Sequence, residues 1–354
     1  MRICVNKVDI NDGDDKGGNR YTKGYYPGID IMKFLMSLVV VASHTRAWES
    51  VGGVIVYNVF FTLAVPYFFL SSGFLLGLCM EEPFGVQNNI GVLKHFFLRM
   101  LKLYLIWTLI YFPLAVKGYF LEGATLAKAV RSYILYLLFV GEHYNSWPLW
   151  YLLSCVWTAA FLLMMHRSEK MSLVKLVQYA ILISIIGFSL NLLVSADNVT
   201  FLSAEKLIKD VVSATIKNGR IMMGAVYIPF GLYISKNRFH KRKCLLFLLA
   251  GIVLGIWWWN NPFLRGYSTM VGAIGLFGWS THLDIKNFSI IEYMRRMSTW
   301  IYFIHMYVYT GIYLVLYGEK TKGAVPFLLT TVISVCISAI LDKVIKEKWK
   351  RVLV

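Results

Sequence analysis

The sequence predicts an all-α, polytopic integral membrane protein with about ten transmembrane helices. Three observations predict it. Of the 354 residues, 58% are hydrophobic, and the mean hydropathy is +0.59, which soluble domains rarely reach. Apolar stretches of spanning or near-spanning length recur from end to end. The basic residues that give a formal charge of +17 lie in short clusters between those stretches, as cytoplasmic loops do. Because they form no single patch, nucleic-acid binding is excluded as the reason for the charge.

The expected spans are 29–47, 55–78, 98–116, 148–165, 174–195, 220–235, 244–259, 266–281, 299–317 and 325–342. A weaker segment, 132–141, competes with 98–116 for the third crossing, which is assigned to 98–116; residues 119–141 then form an interfacial helix and loop. The basic loops 236–243, 166–170, Arg295-Arg296 and 346–351 are placed in the cytoplasm. The loops near 196–218, 260–265 and 318–324 then lie outside. Residues 1–24 are polar, lack the short apolar core of a signal peptide, and read as a flexible cytoplasmic tail; 25–345 form the membrane domain and 346–354 a basic cytoplasmic tail. Both termini are therefore expected in the cytoplasm of a multi-pass cell-membrane protein. Cys4, Cys79, Cys155, Cys244 and Cys336 are scattered without metal-type spacing. They read as free thiols, and no metal site is expected.

Within the first span, Lys33 and His44 are eleven residues apart. Eleven steps of about 100° return to nearly the same helix face, about 16 Å further along. Asp30 and Ser37 lie close to that face. Ionisable groups in a membrane helix are costly and usually serve a task. The stripe suits an anionic donor at Lys33 and a proton-transfer group at His44; alternatively, Lys33 snorkels to the interface and His44 bonds a neighbouring helix. Pro66, Ser71, Ser72 and Gly73 in the second span fit either a kinked packing helix or a polar lining. Arg99 and Lys102, one turn apart, can face one anion or simply anchor the helix. Trp147, Trp150 and Tyr151 open the fourth span as an aromatic belt or a sugar-stacking platform, with Glu142 and His143 as exposed candidates beside them. His305, in a late apolar helix, either packs or shares a polar interior with His44.

Taken in order, GIDIMKFLMSLVVVASHT, AVPYFFLSSGFLLG, RMLKLYLIW, SWPLWYLL, VYIPFGLYISKN and MSTWIYFIHM resemble the acyltransferase family 3 membrane proteins over about residues 25–345. The resemblance implies transfer of an acyl group, often acetyl, from cytoplasmic acyl-coenzyme A to a hydroxyl of an extracytoplasmic or cell-envelope glycan acceptor. Carried over, His44 is the general base or relay and Lys33 supports the donor. Lys33, Arg99 and Lys102 meet coenzyme A phosphates, and Asp30, Ser37, Ser72, Trp150, Tyr151 and His305 line the substrate path. Lysine stands at 33 and 102 where the family has arginine, and a lysine cannot reproduce bidentate contacts. Similar membrane domains are fused to the serine/alanine racemases of vancomycin-resistance systems, which implies a second reading: uptake of a small amino acid such as serine.

Overall fold

A computed structural model describes residues 26–48, 51–168, 171–195, 220–285, 288–312, 315–316 and 322–353. The expected tail 1–24, the loop 196–218 and most of the loop 318–324 lie outside these residues. The described chain is all-helical: α1 (Pro27–Thr45), α2 (Val51–Val59), α3 (Ala64–Leu78), α4 (Asn89–Leu121), α5 (Leu126–Phe139), α6 (Leu149–His166), α7 (Leu173–Ser195), α8 (Arg220–Lys236), α9 (Lys241–Trp257), α10 (Pro262–Ser280), α11 (Phe288–Ile312), α12 (Ala324–Val344) and α13 (Glu347–Leu353).

Local chemistry sets several of these ends. Pro27 occupies the first turn of α1, where its missing N–H is not needed. Arg46 closes that helix in the left-handed region, at φ 46°. Asn261 caps α10 by accepting from the Phe263 and Leu264 amides, both at 3.1 Å, with Pro262 following it. The second span is broken just before Pro66: α2 ends at Val59, a 3-10 turn runs Phe61–Leu63, and α3 starts at Ala64. The break precedes the proline because its ring excludes a continuous α-helical turn on its N-terminal side.

Five helical segments are long and apolar enough to cross a membrane: Pro27–Thr45, Gly52–Leu78, Asn89–Leu121, Leu149–His166 and Ala324–Val344. The ten expected crossings are not all of this kind. Helices α8 and α9 have 17 residues each, and α11 carries Glu292, Arg295 and Arg296. Arg295 and Arg296, expected in a loop, lie inside that helix. The long α4 carries the stretch 98–116, whereas α5 has 14 residues and buries none of them. Leu105 and Leu109 of α4 and Leu328 and Val332 of α12 are all more than half exposed; apolar faces of this extent suit lipid rather than water. Cys155, Cys244 and Cys336 are free, but Cys79 is disulfide-bonded, against the expectation of a thiol.

The core forms where α3, α6, α8 and α10 meet, around Phe69, Phe74, Ile228 and Phe277. α3 and α8 approach until Gly73 lies on the Ile228 carbonyl and Gly231 on the Leu70 carbonyl. Such backbone proximity requires the missing side chains. α1 lies against α3, α10, α11 and α12, so its polar stripe points into the bundle.

Gly73→Val is predicted to destabilise the fold by about 1–3 kcal/mol through overpacking. Gly91→Ala, on an open face of α4 with no atom within 4 Å of the added carbon, is predicted to stabilise by roughly 0.5–1 kcal/mol. Thermal melts in one detergent compare them; a Gly73→Val melt equal to wild type contradicts the packing.

Candidate active site

The α1 stripe has two chemically different ends. At the first, Asp30 is buried and its carboxylate lies 3.9 Å from Arg295 Nη1 of α11. Arg295 also donates to Glu292 at 3.0 Å. Arg296 reaches both oxygens of Asp342 on α12 at 3.1 Å, and Lys350 of α13 lies 3.7 Å from the same carboxylate. The ion pairs thus run from α1 through α11 to α12 and α13. Lys33 is within electrostatic reach of Asp30, Arg295 and Arg99. The structure therefore brings Lys33 and Arg99 into one cationic region and leaves Lys102 exposed on α4. Ser37 is fully buried, but its hydroxyl donates to the Phe34 carbonyl of its own helix at 2.7 Å.

At the other end, the His44 ring lies 5.0 Å from Trp147 and 5.3 Å from His305, nearly parallel to the latter. His305 is fully buried, with Nδ1 3.0 Å from the Ile301 carbonyl. A carbonyl can only accept, so Nδ1 carries the proton and Nε2 keeps its lone pair. Among the described residues Nε2 has no hydrogen-bond partner. Tyr302, one turn before His305, donates to the Pro148 carbonyl at 3.1 Å and pins α11 to the start of α6. Tyr151 donates to the Phe68 carbonyl at 3.3 Å and shares a 2.8 Å hydrogen bond with Ser72. Ser72 and Tyr151 thus tie α3 to α6 beside Trp150.

Two site residues were not singled out from sequence. Arg220, the first residue of α8, is ion-paired with Glu142, sits 5.5 Å above the Trp150 ring and is within electrostatic reach of His44. Arg295 faces Asp30. Each begins or interrupts an apolar segment, so in sequence it reads as a topology marker. The available signal was that Arg220 heads a helix with no other charged residue before Lys236 at its end.

Glu142 and His143 correct the expectation of exposed residues. His143 is only 5% exposed, because α5 folds over it and stacks Tyr133 at 4.1 Å, with Tyr136 at 5.7 Å. Burial pushes the His143 imidazole down to about 4. Burial also raises the Glu142 carboxyl, with Arg220 pulling it back. Among the described residues there is no group of three or more His, Cys, Asp or Glu side chains able to hold a metal.

An all-helical bundle with apolar outer faces and buried ionisable side chains fits a membrane protein. The chain belongs to acyltransferase family 3: the family's profile, described as an acyltransferase domain, matches residues 26–343. Two curated relatives are similar to parts of it. An amino-acid racemase of Enterococcus faecalis is 28% identical over 293 residues, which is 78% of this chain and 35% of that protein. Another amino-acid racemase of the same species is 31% identical over 126 residues, 34% of this chain and 17% of the relative. The chain thus spans about a third of the length of the first and less of the second. No solved structure matches.

His143 generates a pH prediction. Its folded value near 4 lies below the ordinary 6.5, so between these values the unfolded state binds more protons. Its stability contribution is therefore full above pH 6.5 and falls as the pH drops toward 4. Glu142, raised, acts with the opposite sign, so the difference between wild type and His143→Phe isolates the imidazole. The protection factors of amides 140–147, corrected for the intrinsic pH dependence of exchange, are predicted to fall between pH 6.5 and 4.5 in wild type, and less so in His143→Phe. Identical pH profiles contradict the burial of a neutral imidazole.

Proposed function

We propose that this chain is a cell-membrane O-acyltransferase that moves an acyl group, acetyl in the simplest case, from cytoplasmic acyl-coenzyme A to a hydroxyl of a cell-envelope glycan. The observation that carries this reading is the pair of unlike ends on α1: a cationic region at Lys33 and a histidine pair at His44. The shorter helices complete about ten crossings, borrowing interfacial residues at their ends. Both termini lie in the cytoplasm, since that places the largest number of basic loops inside.

In this reading Lys33 and Arg99 hold the donor's phosphates, with Arg295 nearby, and Asp30 keeps Arg295 in position. Lys102, exposed on the same helix face, meets the donor from the rim. Lysine at 33 acts as a point charge rather than a fork. The extended pantetheine arm then runs along the α1 stripe, past Ser37, to bring the thioester to His44. His44 takes the proton from the acceptor hydroxyl as its oxygen attacks the thioester carbonyl. The carbon–sulfur bond breaks, coenzyme A leaves as thiolate, and the proton returns to the sulfur. His305 offers a second unprotonated nitrogen beside His44, and Trp150, Tyr151 and Ser72 line the acceptor's approach.

The similarity to two amino-acid racemases fits a second reading, in which the domain takes up a small amino acid such as serine for a racemase.

The test is turnover of labelled acetyl-coenzyme A by purified protein. His44→Ala is predicted to lower it by about 100-fold or more. Lys33→Ala is predicted to raise the KM for the donor roughly tenfold, with Lys33→Arg restoring it. Equal turnover in folded His44→Ala protein removes His44 from the chemistry. Serine uptake into liposomes without any thioester turnover establishes the second reading instead.

A further inference from the structure

The loop before α6 and the start of α8 meet in a charge pair that the acyl-transfer reading does not use. Arg220 Nη1 is ion-paired with Glu142 Oε1, and both side chains are largely buried. The pair is poorly completed for a structural lock. A locking arginine–carboxylate pair is commonly bidentate, satisfying both oxygens. Here Glu142 Oε2 is buried with no hydrogen-bond partner among the described residues, which costs desolvation without return. The neighbouring His143 is buried with both ring nitrogens likewise unpartnered.

The position of the guanidinium is equally informative. It lies over the face of Trp150 at 5.5 Å, a geometry that holds a cation by its attraction to the ring. It is also within electrostatic reach of His44 and of Tyr302. Trp147, from the same loop as Glu142, touches the His44 ring. A fixed positive charge thus stands between an aromatic platform and the histidine pair, countered by one incompletely bonded carboxylate.

We infer that the molecule reaching His44 carries a carboxylate, and that Arg220 receives it in place of Glu142 while Trp150 packs against its apolar face. This rests on the reading of the His44 end as the acceptor site. It narrows the acceptor from any hydroxyl to a hydroxyl on an acidic molecule, such as an acidic sugar or a hydroxy acid. Arginine suits the task because its planar fork matches a carboxylate, which a lysine does not reproduce.

The experiment measures binding of radiolabelled D-glucuronate and D-glucose, which differ in the carboxylate, to the full chain in nanodiscs. Wild type is expected to hold glucuronate about tenfold more tightly or better. Arg220→Ala is expected to erase the preference and Arg220→Lys to keep part of it. Glu142→Gln, which removes the competing carboxylate, is expected to widen it. Equal affinities, binding of neither sugar, or a preference that survives Arg220→Ala overturns the inference. Should Arg220→Ala fail to fold, an unchanged preference in Glu142→Gln overturns it. No acyl donor is present in this assay, so loss of thioester turnover counts against the acyl-transfer reading alone.

Discussion

A charge inside an apolar bundle must be paired, hydrated or used, because a lone one costs several kcal/mol. The contact between Asp30 of α1 and Arg295 of α11 answers that constraint, and much of the arrangement depends on it. It fixes the face that α1 turns inward. Lys33 then stands near a carboxylate rather than against lipid, and His44 falls against His305 at the far end of the helix. The same α11 carries both Arg295 and His305, so one helix supports both ends of the stripe. Arg296 extends the ionic contact to Asp342, and Lys350 docks α13 beneath it.

The two ends differ in kind. Near Asp30, salt bridges link four helices and favour an anionic partner of the cations. Around His44 the groups are aromatic and neutral, apart from the Arg220–Glu142 pair at the edge. A reaction that couples compartments needs such an asymmetry. Anion recognition belongs where charges are numerous, and proton transfer belongs where water is excluded. About 16 Å of helix separates the two, so a single extended substrate, rather than a diffusing one, would connect them.

Much of this was legible in the amino-acid order, and the gaps have physical causes. The all-helical class follows from composition and run length, and Lys33, His44 and His305 stand out because each interrupts an apolar run. The count of spanning helices was less legible. Helices of 17 residues, and one with three charges, fall short of the usual length and hydropathy thresholds for a span. Arg220 and Arg295 were hidden for another reason. A basic residue beside an apolar run looks the same in sequence whether it anchors to lipid or pairs with a carboxylate, and their partners, Glu142 and Asp30, come from distant segments. His143 looked exposed because its loop is polar, whereas α5 folding over it is a tertiary event.

The central claim is that α1 joins a donor on one side of the membrane to an acceptor on the other. Sealed proteoliposomes with the protein in a single orientation test it most directly. Labelled acetyl-coenzyme A is confined to the side that the basic loops face, and an acidic hydroxylated acceptor to the opposite side. The account predicts labelled ester in the acceptor compartment, with free coenzyme A remaining in the donor compartment. Ester that forms only when both substrates share one compartment contradicts it.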